Sequence, residues 1–170
     1  MLTRIESGWA RILELSAMAM MMGMVGVIAW SVIGRQVFRL PVAWSEEVGA
    51  GLMAWMVLTG SAAAWHQRRH LMIDLVLRRL NRRWLAVFCA VIEALSVLLF
   101  AVAFWGALSM MEVSANNSTT ALGISFRWLY LALVVGLGSM IAFSLIFLFR
   151  LFTGDRSVLP DYATEAEWNT

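Results

Sequence analysis

Charged residues divide this chain into long apolar runs. No charge occurs from Leu15 to Gly34 or from Val48 to Gln67, 20 residues each. Trp84 to Met111 carries one charge, Glu93, in 28 residues, and Trp128 to Phe149 carries none in 22. A bilayer core of about 30 Å needs about 20 helical residues to cross it. The pattern predicts an all-α integral membrane protein with four transmembrane helices, at about 12–34, 45–65, 84–111 and 128–150. Residues 1–14 read as a cytoplasmic N-terminus, 15–152 as the four-helix membrane domain and 153–170 as a solvated acidic cytoplasmic tail.

Tryptophan supports the same division. Trp9 and Trp30, Trp44 and Trp65, and Trp84 and Trp105 are each 21 residues apart. That spacing is about 31 Å of helix, and Trp favours the two membrane interfaces. Trp55 falls at mid-helix, where packing on a neighbouring helix is the simplest reading. The first span is too long for a signal peptide, follows Glu6 and Glu14, and lacks a small-residue cleavage site, so it reads as an uncleaved anchor.

Composition narrows the class. The 170 residues are 61% hydrophobic and 14% charged, against about 45–50% and about 25% in soluble domains. A soluble chain of this size cannot hide that much apolar surface. This argues against a soluble enzyme, a nucleic-acid binder or a disordered linker. All 13 basic residues are Arg. Arg4, Arg11, Arg68, Arg69, Arg78, Arg79, Arg82, Arg83, Arg150 and Arg156 fall on one side of a four-span chain; Arg35, Arg39 and Arg127 fall on the other. The positive-inside rule puts the first group, and both termini, in the cytoplasm. The lone Cys89 reads as a small buried hydrophobe.

The loops carry most of the polar chemistry. Pro41 stops the first helix from running into the second. Ser45 reads as the cap of the second helix, with Glu46 and Glu47 in its first turn at the positive end of the helix dipole. Two readings of Arg35 stand side by side: a bridge to this carboxylate pair, or a side chain snorkelling to water. Residues 66–83 read as a short basic interfacial segment reaching lipid head groups.

Candidate reaction chemistry is sparse. His66 and His70 lie at the membrane edge, badly placed for haem and too few for a metal site. Gly136-Leu137-Gly138-Ser139 resembles a serine nucleophile turn, but no His or Lys in another span can activate it, which favours packing. Gly60 with Ala64, and Gly138 with Ala142, permit close helix contact. Glu93 is the one ionisable residue well inside a span, a candidate for proton coupling or for an interhelical contact. No charged relay crosses several spans, which favours a subunit serving a larger partner.

Gly34-Arg35, Phe38, Pro41, Trp44 and Glu46-Glu47, taken in order, resemble the signature of the small membrane subunit (DctQ type) of tripartite ATP-independent periplasmic (TRAP) transporters. Arg69-His70-Leu71-Met72-Ile73-Asp74 is similar to the element after that family's second span, and Thr120-Ala121-Leu122-Gly123-Ile124 with Tyr130-Leu131-Ala132-Leu133 to its entry into the fourth. The likeness covers about residues 15–150. Gln36, Ser125 and Val135 depart from it, standing where an aromatic or a proline is common.

The resemblance implies an accessory role in the bacterial inner membrane. The chain would steady a large permease subunit that holds the substrate and sodium sites. A periplasmic binding protein would deliver an organic acid, and the chain itself would need no cofactor. Arg35, Trp44, Glu46 and Glu47 would then shape the partner-facing surface on the outer side, and His70 and Asp74 would fix the inner segment. Two other classes fit the residues: a small autonomous proton-coupled exporter using Glu93, and the membrane anchor of a redox complex. The transported substrate leaves no imprint on a subunit that does not hold it.

Overall fold

In the computed structural model the described residues are 2–39, 41–67 and 82–153. They form four long helices: α1 (Leu2–Gln36), α2 (Trp44–His66), α3 (Arg82–Val113) and α4 (Arg127–Phe152). All four are long and apolar enough to cross a membrane. The fold is an all-α, four-span membrane architecture, as the apolar runs predict. The basic interfacial segment after α2, with His70 and Asp74, and the acidic tail lie outside the described residues.

Local chemistry sets the helix ends. α1 contains no proline; past its end Val37 N–H still bonds the Ile33 carbonyl at 2.8 Å. The chain then turns through Arg39, whose φ of 51° is left-handed, and reaches Pro41, which has no N–H to continue a helix. α2 begins one residue before Ser45. Its N-cap is Ala43, with no side-chain capping bond. The expected Ser45 cap is therefore corrected: Ser45 sits inside the first turn, and its hydroxyl bonds back to the Val42 carbonyl at 2.6 Å. After α3 a 3₁₀ turn, Ser114–Asn116, leads into a tight reversal. Ser118 and Ser125 pair as an isolated antiparallel bridge. Gly123 sits at φ +68°, a conformation that costs glycine little.

The main helix contacts run in a row, α1 on α2, α2 on α4, and α4 on α3, with α1 also reaching α4 at one end. Ala10, Leu13, Ala62, Ala63, Met140 and Phe143 form a core joining α1, α2 and α4, with Trp65, Leu137 and Phe100 of α3 against it. It sits towards the end where α1 begins and α4 finishes, the terminal end; the other, carrying the α1–α2 and α3–α4 loops, is the two-loop end. Small residues set the spacing. A Cβ on Gly136 would fall 2.9 Å from Leu58 Cβ and 3.0 Å from the Leu58 carbonyl oxygen, so α4 touches the α2 backbone there. Gly60 faces Ala17, and Gly138 faces Phe104. The Gly136-Leu137-Gly138-Ser139 stretch is thus a packing seam.

A row leaves two broad faces uncovered. Only 6% of the apolar windows of α1 and of α3 is buried, against 39% for α4. Exposed side chains include Met22, Val25 and Ile28 of α1 and Leu95, Leu99 and Val102 of α3. This surface is stable only in lipid or against another apolar partner.

Candidate functional site

Polar side chains gather at the two-loop end. Arg35, in the last turn of α1, places Nη2 3.3 Å from Glu46 Oε1 and donates to Ser31 Oγ at 3.2 Å. Ser31 Oγ lies 3.0 Å from Ser45 Oγ, and both serines are buried. Beneath them Gly34 leaves room for Val42, whose Cγ1 would lie 3.2 Å from an added Cβ. One buried serine pair and one exposed ion pair therefore clamp the end of α1 to the start of α2. Of the two readings of Arg35, the structure shows the bridge, with the Arg35 side chain still 56% exposed.

Glu47 does something different. Its Oε1 accepts from Ala121 N–H at 2.7 Å and from the Thr120 hydroxyl at 3.2 Å, and its Oε2 accepts from Leu122 N–H at 2.9 Å. Two successive amides and a hydroxyl thus form an anion-holding concavity. The reversal around it is self-braced. Thr119 N–H donates to the Ile124 carbonyl, Ile124 N–H donates to Thr119 Oγ1, and Phe126 N–H donates to the Asn117 carbonyl. Glu47 is therefore not a second partner of Arg35; it fastens the α3–α4 loop to α2. The Trp44–Glu47 stretch and the Thr120–Ile124 stretch, 73 residues apart at their contact, meet in space.

Trp44 opens α2 half-buried. Trp55, expected to pack on a neighbour, donates its indole N–H to the Trp128 carbonyl at the start of α4, 3.2 Å away. Glu93 is buried, 6% exposed. It shares the α3 face of Phe100 and Ala107, at helical spacings of seven and fourteen residues. That face meets α4, far from the two-loop end.

Several ties had only faint sequence signals. At the terminal end Arg150 of α4 reaches Glu6 of α1 at 3.7 Å, with the Glu6 side chain only 10% exposed. In sequence these two read as a topology charge and a leader charge. Trp9 donates to Ser139 Oγ at 3.2 Å, and Trp65 donates to Ser144 Oγ at 2.8 Å. Both tryptophans read as interface markers, and both also bolt their helices to serines of α4. Gln67 donates to Glu14 at 3.3 Å. Such a set can hold helices in fixed relation.

Comparison with known proteins gives the same direction. Residues 24–154 match the family described as tripartite ATP-independent periplasmic transporters, DctQ component. A Haemophilus influenzae (strain Rd) protein named as a TRAP transporter small permease is 23% identical over 144 residues, 85% of this chain and 81% of its own length. The sialic acid TRAP transporter permease protein SiaT of H. influenzae (strain 86-028NP) is 26% identical over 113 residues, 65% of this chain. The match spans only 18% of SiaT.

Proposed function

The chain belongs to the DctQ component family of TRAP transporters, and from that premise we propose that it is the scaffold on which a large permease subunit works. As a TRAP small permease component it is a multi-pass membrane protein and not an enzyme. The finer reading places it in the bacterial inner membrane with both termini cytoplasmic, beside a large subunit that takes up an organic acid on a sodium gradient. A periplasmic binding protein delivers the acid. The two-loop end, with Arg35, Glu46 and Glu47, then faces the periplasm, which agrees with the Arg distribution along the chain.

One observation carries the scaffold role. The helices are bolted at both ends by polar contacts, yet α1 and α3 leave broad apolar faces exposed. A stiff row with bare apolar faces suits a part that lends surface to another. SiaT lends support: the region similar to this chain there continues, within one polypeptide, into a much longer remainder. A small unit covalently joined to a permease in one relative fits a small unit docked to one in another.

Reconstitution tests the reading. Proteoliposomes receive the large subunit and the binding protein, with or without this chain, under an imposed sodium gradient. The expected result is organic acid uptake only when all three are present. Uptake without this chain contradicts the scaffold role. Proton-driven transport by the chain alone, abolished by Glu93→Gln, establishes the exporter reading in its place.

A further inference from the structure

A groove runs between α1 and α2 from the two-loop end towards mid-membrane, with a volume of about 580 Å³. Its mouth is the Arg35–Glu46 pair; its walls are Met24, Ile28 and Val32 of α1 and Ala50 and Met53 of α2. The helices do not part to make it. Gly23 still lies against Leu52, 3.7 Å from an added Cβ, while Gly49 in the groove wall has nothing within 4 Å of one. The small residues Gly49 and Ala50 cut the groove into the wall, which suits an acyl chain better than a helix about 10 Å across. From Met24 to Arg35 is eleven residues, about 16 Å of helix, close to half of a bilayer core of about 30 Å. It is one leaflet deep.

The mouth has matching chemistry. Among the described residues Arg35 reaches Ser31 and Glu46 through Nη2, which leaves the Nε and Nη1 hydrogens directed elsewhere. Glu46 meets Arg35 through Oε1, leaving Oε2 accessible on a side chain 76% exposed. A cation and an anion side by side complement a zwitterion better than a net anion. We propose that this groove holds one phospholipid of the leaflet on the Arg35 side: acyl chain between α1 and α2, phosphate on Arg35, ammonium of a phosphoethanolamine head on Glu46. The lipid fills a gap in the α1–α2 wall and adds charge-assisted hydrogen bonds to a clamp that is otherwise an exposed ion pair.

Native mass spectrometry tests it. The full chain, co-expressed with its large permease subunit, is released from nanodiscs of equal parts phosphatidylethanolamine and phosphatidylglycerol. The expected result is one retained phosphatidylethanolamine, favoured several-fold over phosphatidylglycerol. Ala50→Trp, which fills the groove, should abolish retention; Ala50→Leu should weaken it if the larger variant does not fold. Arg35→Gln should erase the head-group preference. Equal retention of both lipids, retention unchanged by both Ala50 variants, or no retained lipid overturns the proposal. So does cross-linking of an Ala50→Cys variant to the large subunit, which seats a protein in the groove. Co-purification of the large subunit is read separately, so failure of the lipid site and failure of the scaffold role give different results.

Discussion

Glu46 and Glu47 are neighbours in sequence with unlike tasks, because successive residues on a helix point about 100° apart. Glu46 turns towards α1 and meets Arg35; Glu47 turns towards the α3–α4 loop and meets two amides and a hydroxyl. Removing each carboxylate should therefore have separate effects. Glu47→Ala should speed hydrogen exchange at Ala121 and Leu122 and leave the α1–α2 clamp intact; unchanged exchange at those amides argues against the latch. At Gly136 the limit is space. With Leu58 Cβ 2.9 Å from an added Cβ, Gly136→Val overpacks a tight seam. Such changes cost about 1–3 kcal/mol, which should appear as a lower unfolding temperature in detergent.

Each element was legible to a different depth. The four helices followed from the charge-free runs, because spanning lipid forces backbone hydrogen bonds inside each segment. Their lateral order did not follow, since every face of an apolar helix looks alike to a hydropathy pattern. The contacts that order them, Gly136 on Leu58, Trp65 on Ser144 and Trp9 on Ser139, each join residues ordinary in their own segment. The cap of α2 was misjudged because Ser45 looks like a capping residue, while Pro41 starts the turn early enough to draw it inside the helix. Arg35 with a carboxylate of the pair was visible from spacing; the Glu47 latch was not, because nothing local announces a loop 73 residues away. At this scale Trp65 is decisive: it ties α2 to Ser144, which is fully buried. Trp65→Phe leaves that hydroxyl without its donor, a loss of about 1–3 kcal/mol. Thermal unfolding should show a larger drop than for Trp9→Phe, whose indole is half exposed.

For the whole molecule, a polar frame at both ends holds a row of helices whose apolar faces stay open. The frame explains why so few charged residues suffice: Arg35, Glu46 and Glu47 close one end, and Glu6 and Arg150 the other. The open faces explain the high apolar content, as surface kept for lipid and for a larger subunit. The claim that the two-loop end shapes the partner surface is tested most directly by charge reversal with co-purification of the large permease subunit as the readout. Arg35→Glu alone should reduce the recovered large subunit, Arg35→Glu with Glu46→Arg should restore most of it, and Arg35→Glu with Glu47→Arg should not. Full recovery with Arg35→Glu alone, or equal rescue by Glu46→Arg and Glu47→Arg, contradicts the account.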